Sequence, residues 1–260
     1  MLKNKNAIVT GATSGIGLGI AKALAGQGCN LMIGGLAPAG VAERLRNEIN
    51  SEYGVKVIHS GADLSQPDAT RRLAAEALEA FGHIDILVND AGLQFIAPIV
   101  EFPDEKWELL RSVMLDAPFR LIKAVLPGML ERKWGRIINI SSVMGMIAAP
   151  HKPAYVAAKH GLAGLTKSVA LEVAEQGVTC NAIMPATVLT DVIIKQLPNQ
   201  AKVLGCTEEE AMDRLFTQMM PTRRLIDPSE IGATAVFLCS EGAKSITGVL
   251  LPVDGGYTAR

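Results

Sequence analysis

The chain has 260 residues, of which 49% are hydrophobic, and its formal net charge is −1. This length suits one large α/β domain or two small ones, and the apolar content fills a sizeable core. A charge so close to zero leaves no electrostatic footprint for nucleic acid or an anionic membrane, so neither is expected as a partner.

The N-terminus and the cysteines point to an intracellular protein. The first strand pattern begins at Asn6, which leaves no room for a signal peptide. No apolar run approaches the ~18 residues that span a bilayer. We therefore expect a cytoplasmic protein without a metal site, with Cys29 and Cys239 as buried thiols in apolar contexts. The four cysteines, which lack metal-ligand spacing, are Cys29, Cys180, Cys206 and Cys239.

Short apolar runs alternate with longer helical patterns along the chain. Their near-continuous apolar character is typical of strands covered on both faces. With right-handed crossovers, they predict a single doubly wound Rossmann-type α/β domain over 1–260, with a seven-stranded parallel sheet and a ligand crevice at its carboxyl edge. The predicted strands are 6–10, 29–34, 55–59, 84–88, 135–141, 178–184 and 248–253, and the predicted helices are 15–27, 40–53, 68–81, 105–132, 154–175, 208–218 and 228–240.

The first strand leads into a glycine-rich turn and then a helix. Strand, glycine turn and helix form the arrangement that seats a pyrophosphate on a helix N-terminus. The glycines permit a tight turn and a close backbone approach, and Thr13 and Ser14 add hydrogen-bond donors. Three glycines alone are weak evidence, because turns collect glycine for steric reasons. The turn comprises Gly11, Ala12, Thr13, Ser14, Gly15, Ile16 and Gly17.

Farther along, Ser142 precedes the pair Tyr155 and Lys159. In a helix the pair shares one face, a turn apart. A free phenol titrates near pH ~10, and a cation at ~4 Å with an effective dielectric near ~20 stabilises a phenolate by up to ~4 kcal/mol. We expect Lys159 to lower the pKa of Tyr155 and Ser142 to hold a substrate oxygen. The alternative is a surface Tyr and Lys on an amphipathic helix.

Together, these motifs resemble the short-chain dehydrogenase/reductase family over essentially the full length. Within it, the chain is most similar to bacterial 3-hydroxybutyrate dehydrogenases, in segments such as FGHIDILVN, WGRIINI, AYVAAKHG and DGGYTAR. The resemblance implies that Ser142, Tyr155 and Lys159 are catalytic. The matching motifs are Gly11-x3-Gly15-x-Gly17, Asp63-Leu64, Asn89-Asp90-Ala91-Gly92 (usually Asn-Asn-Ala-Gly), Ser142, Tyr155-x3-Lys159, Pro185, Ile246-Thr247-Gly248 and Asp254-Gly255-Gly256.

The segment after the second strand predicts NAD rather than NADP. An acid there would bind the adenosine ribose of NAD and an Arg the phosphate of NADP, but the chain has Gly34-Gly35-Leu36. The next basic residue, Arg44, lies within the following helix. By resemblance, Leu36 packs on the adenine and Asp63 meets its amino group, although Asp63 is also a candidate cap for the helix near Pro67. The implied cofactor residues are Gly11, Thr13, Ser14, Gly15, Ile16, Gly17, Leu36, Asp63, Leu64, Asn89, Ala91, Gly92, Tyr155, Lys159, Pro185 and Val188.

The resemblance is incomplete at the substrate positions. Met144 stands where the similar dehydrogenases have a His, and Thr187 where they have a Trp. These changes predict a roomier, less polar pocket for a small-molecule substrate longer or bulkier than 3-hydroxybutyrate. Lys152 suits an anionic group, with a solvated loop lysine as the alternative. The implied substrate residues are Gln94, Ser142, Met144, Lys152, Tyr155, Thr187 and Gln196.

Two further departures concern catalysis. Met114 aligns with an asparagine that holds a water near the catalytic lysine in the family, and a thioether cannot replace that amide. Asp90 places an unusual carboxylate beside the cofactor. Asp116 is a weak candidate to take over the relay.

Residues 186–222 fall outside the alternation. In the family this insertion forms a mobile lid over the substrate, and the alternative is a helical excursion that covers core. Family members are usually tetramers, and the apolar stripe of the helix from 154 is compatible with a homotetramer, although core packing explains it equally well.

The expected activity is NAD-dependent hydride transfer with a 3-hydroxy acid. One alternative is a related reductase acting on a ketone without a carboxylate. Another is a non-catalytic nucleotide-binding protein, which Met114 and Asp90 favour and the intact Ser142, Tyr155 and Lys159 argue against.

Overall fold

The computed structural model describes residues 2–38 and 40–259. Seven strands form one parallel sheet, which confirms the expected fold class. Each predicted apolar run contains a strand, with ends that shift by one or two residues. The strands are β1 (Asn6–Thr10), β2 (Asn30–Gly34), β3 (Val57–Ser60), β4 (Ile86–Asn89), β5 (Gly135–Ile140), β6 (Val178–Pro185) and β7 (Leu250–Val253).

The helices follow the predicted pattern, with clear stop and start signals at several ends. Gly54, in the left-handed region at φ +67°, ends the second helix, and a capping box between Asp227 and Glu230 starts the last. The helices are α1 (Gly15–Ala25), α2 (Val41–Tyr53), α3 (Pro67–Phe81), α4 (Asp104–Arg111), α5 (Ala117–Glu131), α6 (Pro153–Glu172), α7 (Asp191–Leu204), α8 (Glu208–Met212) and α9 (Pro228–Cys239).

The strand order is β3-β2-β1-β4-β5-β6-β7. Strand β1 pairs with β2 on one side and with β4 on the other, so the order reverses between β1 and β4. At this switch point the chain leaves the carboxyl ends of the two strands in opposite directions and opens a crevice. The fold thus places the glycine turn after β1 next to the segment that follows β4.

Both faces of the sheet are buried. Ile8 and Leu87 point into one apolar cluster, and their neighbours Val9 and Val88 point into the cluster on the opposite face. Alternate residues of a strand project to opposite sides, so helices must cover both. This layering explains why the strands read as continuous apolar runs.

Three helical regions differ from the expectation, one of them the predicted helix 208–218, in which α8 ends at Met212 and a π-helical turn follows at Asp213–Thr217. The pattern 105–132 predicted one helix, but a π-helical turn at Ser112–Asp116 separates α4 from α5. Helix α7, with Pro198 inside it, lies in the segment 186–222 that fell outside the predicted alternation. Within the described residues, α7 and α8 share a small apolar cluster with the turn that follows them; its members are Leu197, Ala201 and Ala211, with Cys206, Met212 and Phe216 packed against it.

Cys29 and Cys239 are free and buried, as expected. Within 2–38 and 40–259, the structure contains no helix with the length and apolar character needed to cross a membrane.

Candidate active site

The turn between β1 and α1 brings backbone unusually close to backbone. Gly11 and Gly15 have φ values of +69° and +55°, which residues with side chains rarely adopt. A Cβ on Gly17 would lie 2.5 Å from the carbonyl oxygen of Gly11. The first turn of α1 therefore presents bare backbone N–H groups to the crevice, and this geometry fits a phosphate group.

Thr10, the last residue of β1, fixes the chain that leaves β4. Its Oγ1 accepts hydrogen bonds from the backbone N–H groups of Asp90 at 3.0 Å and Ala91 at 3.2 Å. The same hydroxyl donates to the carbonyl of Val88 at 3.4 Å. The segment after β4 is held in place by these bonds, and an oxygen of Asp90 lies against the glycine turn.

Ser142 lies just after β5 and is buried. Its Oγ accepts a hydrogen bond from the Met144 N–H at 3.1 Å and approaches the Pro185 carbonyl of β6 at 3.5 Å. The hydroxyl is thus positioned by the turn that follows it, at the carboxyl edge of the sheet.

Tyr155 and Lys159 lie one turn apart on α6. The Lys159 Nζ is 5.7 Å from the centroid of the Tyr155 ring and donates to the Ile140 carbonyl at 2.7 Å. The Ser142 hydroxyl lies close enough to Tyr155 to lower the pKa of the phenol by hydrogen bonding. The three predicted catalytic side chains therefore meet at the carboxyl end of β5, so the alternative of a surface Tyr–Lys pair does not hold for the buried Lys159.

Close packing sets the position of α6. The Ser141 Oγ donates to the backbone carbonyl of Lys159 at 3.0 Å. A Cβ on Gly145 would lie 2.6 Å from that Oγ and 2.8 Å from the same carbonyl oxygen. Glycine at position 145 therefore allows the helix to lie directly on the turn after β5.

The electrostatics of Tyr155 differ from the expectation. Burial raises the pKa of Tyr155, the hydrogen bond with Ser142 opposes this rise, and the Asp90 charge adds to it. That Lys159 lowers the pKa of the phenol stays a prediction. Lys159 is itself buried and donates to the Ile140 carbonyl, with Asp90 as the opposite charge that acts on it.

Asp90 and Lys159 interact across the crevice. Burial raises the pKa of the Asp90 carboxyl, while the Lys159 charge and the Gly17 N–H oppose that rise. Burial lowers the pKa of Lys159, and the Asp90 charge opposes that fall. Each group therefore stabilises the charged form of the other.

A cavity of about 700 Å³ occupies the crevice, a size in the usual range of small-molecule sites. Among the described residues, Lys159 is the one cationic side chain that lines it. Its predicted cofactor residues run from the glycine turn to the catalytic pair. They are Gly11, Thr13, Ser14, Gly15, Ile16, Leu36, Asp63, Leu64, Ala91, Gly92, Tyr155 and Lys159.

The remaining predicted cofactor residues lie outside the cavity wall. Gly17 packs behind the turn against Gly11. Asn89 is buried in β4, where its amide donates to the Asn139 Oδ1 at 2.8 Å. Pro185 pairs within the sheet, and Val188 is buried in the core.

Asp63 is exposed, and its carboxylate accepts the Ser65 N–H at 2.9 Å. The residue that caps α3 is Gln66, which makes no side-chain capping bond. The alternative role of Asp63 as the helix cap is therefore wrong, and its carboxylate lies on the cavity wall.

The predicted substrate residues are dispersed. Gln94 is exposed and lines the cavity. Met144 lies in the turn after Ser142, and Lys152 immediately precedes α6, where burial lowers its pKa. Thr187 accepts the Ile226 N–H at 3.1 Å through its carbonyl, while Gln196 is exposed on α7.

The π-helical turn places Met114 and Asp116 in different surroundings. Met114 is buried in an apolar cluster with Leu110 and Ala158. Asp116 forms ion pairs with Arg111 and Arg120, each at 3.7 Å. The structure therefore gives Asp116 arginine partners, and the suggestion that it serves the lysine relay is wrong.

Sequence reasoning missed several residues of the cavity wall, and two of them lie where α7 begins. Thr190 and Asp191, at the start of α7, line the cavity. The Thr190 methyl group lies 3.3 Å from the place where a Cβ on Gly15 would stand. Their position after the carboxyl end of β6 is a topological signal that would have marked them.

Comparison with known proteins gives consistent relatives. A family described as enoyl-(acyl carrier protein) reductase matches residues 11–258. The chain is 43% identical to a D-beta-hydroxybutyrate dehydrogenase of Rhizobium meliloti (strain 1021), covering 98% of this chain and 99% of the relative. It is 44% identical to the D-beta-hydroxybutyrate dehydrogenase of Cupriavidus necator, with complete coverage of both.

Among solved structures, the L-sorbose reductase of Gluconobacter frateurii, complexed with NADPH and L-sorbose, superposes with a TM-score of 0.95 at 30% identity, covering 100% of this chain and 98% of that one. An actinorhodin polyketide ketoreductase with NADPH superposes with a TM-score of 0.91 at 34% identity, covering 100% of both chains.

Proposed function

The chain belongs to the short-chain dehydrogenase/reductase family, and we propose that it is an NAD-dependent dehydrogenase of a 3-hydroxy acid. The substrate is (R)-3-hydroxybutyrate or a longer or bulkier analogue, and the reaction is reversible. The observation that carries the proposal is Tyr155 with buried Lys159 at the wall of the glycine-turn cavity, and the Ser142 hydroxyl close to Tyr155 in the turn after β5. The full-length identity to D-beta-hydroxybutyrate dehydrogenases supports the substrate class.

The residues of the crevice fit a dinucleotide. The space beside Gly11 and Gly17 that a Cβ would fill leaves the backbone free to approach a pyrophosphate, and the N-terminus of α1 favours an anion. Gly15 and Ile16 continue this cradle, and Leu36, 69% exposed at the cavity wall, offers an apolar face to the adenine. When bound, NAD supplies the hydride acceptor.

The protein's own groups handle the proton and the substrate oxygen. Ser142 holds the hydroxyl oxygen of the substrate, and the Tyr155 oxygen takes its proton. The hydrogen bond from Ser142 favours the phenolate, which burial disfavours. Lys159 presents its remaining N–H donors to the crevice, where the nicotinamide ribose belongs.

The lack of cationic side chains supports NAD over NADP. Recognition of a 2′-phosphate requires an Arg or Lys near the end of β2. The described residues that line this end include Gly35, Leu36 and Asp63, none of them cationic. Both solved relatives carry NADPH, so the two cofactors are to be compared directly.

The substrate side is proposed from Gln94, Met144, Lys152, Thr187 and Gln196. Lys152 provides a cation for the carboxylate of the substrate, three residues before Tyr155. Thr187 stands in place of a tryptophan of similar dehydrogenases and leaves room for a longer acyl chain. Met144, in place of a histidine, removes a hydrogen-bond donor and makes the pocket less polar. The segment 186–222 serves as the lid, and α7 with α8 forms its helical part.

We also propose a cytoplasmic homotetramer. Phe119 on α5 and Leu171 on α6 are 52% and 81% exposed, and contact between subunits would bury them. Size-exclusion chromatography with light scattering tests the assembly.

The test is reduction of NAD and of NADP by the purified protein with (R)-3-hydroxybutyrate and with longer and branched 3-hydroxy acids. We expect saturable turnover with NAD. Tyr155→Phe should lower kcat/KM by at least ~100-fold while NAD affinity stays within a factor of about two, because the phenol moves a proton rather than binding the dinucleotide.

Tyr53→Phe, at the end of α2, is the matched control and should retain full turnover. If Tyr155→Phe keeps most of the activity, the assignment of Tyr155 is wrong. Higher efficiency with NADP would overturn the cofactor assignment alone.

A second candidate is a reductase of a ketone without a carboxylate. Met144 in the expected place of a histidine favours it, and so does the superposition on a sugar reductase. Turnover of neutral ketones alongside failure of every hydroxy acid would select this candidate.

A further inference from the structure

Asp90 occupies a constrained position between the glycine turn and Lys159. Its Oδ2 lies 2.7 Å from the place of a Cβ on Gly17 and 3.0 Å from that of a Cβ on Gly11. The Gly17 N–H donates to the carboxylate. Both glycines are thus required for this side chain to fit, and the Thr10 hydroxyl holds its backbone.

Lys159 needs a counter-charge, because an isolated ammonium inside a protein is costly. It is 4% exposed, and one of its three donors is used by the Ile140 carbonyl. The charged group that acts on it is Asp90, 69 positions earlier in the sequence. Asn89 pairs with Asn139, so Asp90 and Ile140 follow side by side on neighbouring strands, and Lys159 donates to the Ile140 carbonyl. Asp90 and Lys159 also line the same cavity.

The elements around Lys159 offer no second charge among the described residues. From α4 and the π-helical turn come Leu110, Val113 and Met114, which are apolar. From β5 and the following turn come neutral groups, including Ser141. Tyr155 on α6 is the other titratable group beside it, and Asp116 is occupied by arginines.

We propose that Asp90 is a positioning residue: its carboxylate is the counter-charge that keeps Lys159 protonated beside Tyr155 and links it to the glycine turn. The importance of this pair for turnover rests on the proposed function, but the pairing itself does not. The link also joins the floor of the dinucleotide cradle to the acid–base group through a single side chain.

Removal of the Asp90 charge should shift the pKa values of Lys159 and Tyr155 in a defined direction. Asp90 raises the pKa of Lys159 and of Tyr155, so without it both groups lose protons at lower pH. In alcohol oxidation Tyr155 must be deprotonated and Lys159 protonated. Both limbs of the bell-shaped pH profile of kcat/KM should therefore move to lower pH, whereas a merely structural defect reduces its height without moving it.

The experiment uses the full chain labelled with [ε-13C]lysine and titrated by NMR, with the Lys159 signal identified by its loss in Lys159→Arg. We expect Asp90→Asn to lower the pKa of Lys159 by at least one unit, which is a tenfold change in its proton affinity. The asparagine amide oxygen still accepts the Gly17 N–H, so the substitution removes chiefly the charge.

Asp116→Asn is the matched control and should leave the Lys159 titration unchanged. An equal titration of Lys159 in the wild-type protein and in Asp90→Asn overturns the proposal. If Asp90→Asn does not fold, the reciprocal measurement decides: Lys159→Met should raise the pKa of Asp90, followed with [γ-13C]aspartate. An unchanged Asp90 titration in that variant also overturns the proposal.

These titrations need neither substrate nor cofactor. If the protein oxidises no hydroxy acid but the titration of Lys159 depends on Asp90, the proposed function is wrong and the proposed Asp90–Lys159 pair stands. If the protein oxidises a hydroxy acid but the titration of Lys159 does not depend on Asp90, the proposed function stands and the proposed Asp90–Lys159 pair is wrong.

Discussion

Two aspartates flank β4 at its opposite ends, and they are treated differently by the fold. Asp85, before the strand, is 2% exposed and accepts the Asn6 N–H at 3.0 Å. Lys5 and His83 lie 3.3 and 3.2 Å from its oxygens, and Arg132 lies at 4.0 Å. Asp90, after the strand, has the Gly17 N–H and the charge of Lys159.

The difference assigns the two aspartates different roles: Asp85 stabilises the fold, and Asp90 belongs to the acid–base site. At the amino edge several cations and a backbone donor surround the carboxylate, and Lys5 also lies over the Trp134 ring at 3.7 Å. At the carboxyl edge the partly buried Asp90 has one cationic partner, Lys159, which is fully buried. A group left in this condition titrates near working pH, which is what acid–base chemistry requires.

The largest expected effect is at the amino edge. Asp85→Ala should lower the free energy of unfolding by about 3 kcal/mol, because it leaves the Asn6 N–H and neighbouring cations without their buried acceptor. Urea unfolding followed by tryptophan fluorescence at fixed protein concentration measures it. Asp68→Ala, which removes an exposed ion pair with Arg71, should have a much smaller effect. Equal losses of unfolding free energy in Asp85→Ala and Asp68→Ala would show that Asp85 has no special role in stability.

An intermediate effect is expected at the glycine turn. In Gly17→Ala the new Cβ would collide with the Gly11 carbonyl and the Asp90 carboxylate, at a cost of about 1–3 kcal/mol. We expect dinucleotide affinity, measured by calorimetry, to fall at least tenfold as well. Gly164→Ala in α6, where the Cβ meets open space, should instead stabilise the protein by up to about 1 kcal/mol. Unchanged dinucleotide affinity in Gly17→Ala would contradict the proposal that the glycine turn binds the dinucleotide.

The last effect is a gradual change of stability with pH rather than a loss at fixed pH. Burial raises the pKa of Asp90 above its unfolded value, so the folded state holds more protons and stability falls as pH rises from about 4 toward the raised pKa. Relative to the wild-type protein, Asp90→Asn should gain stability over this window, by at most about 1.4 kcal/mol per pH unit. Parallel stability curves for the two proteins would show that Asp90 is not perturbed.

Much of this architecture is legible in the sequence. The strands are buried on both faces, so each appears as an apolar run, and Gly11, Gly15 and Gly17 report the turn directly. Tyr155 and Lys159 meet because a helix places residues four apart on one face. The helical break at Ser112–Asp116 left no such mark, because one extra residue in the hydrogen-bond ladder is a matter of tertiary packing.

Long-range charge pairing was equally hidden. Asp90 and Lys159 become neighbours only through strand order. Nearness in sequence to Met114 suggested Asp116 for the relay, but Asp116 pairs with Arg111 and Arg120. The surroundings of Tyr155 were hidden in the same way. A sequence reveals that a lysine is near, but not that burial and the Asp90 charge raise the pKa of the phenol.

The small cluster beneath α7 and α8 has a consequence for variation. Its described members come from 197–216 alone, and a capping box between Thr207 and Glu210 starts α8. The pair of helices α7 and α8 is thus stabilised by its own apolar contacts, which are separate from the apolar clusters on the two faces of the sheet. Substitutions in α7 and α8 therefore leave the packing of the sheet unchanged. The same sheet can carry α7–α8 segments of different sequence.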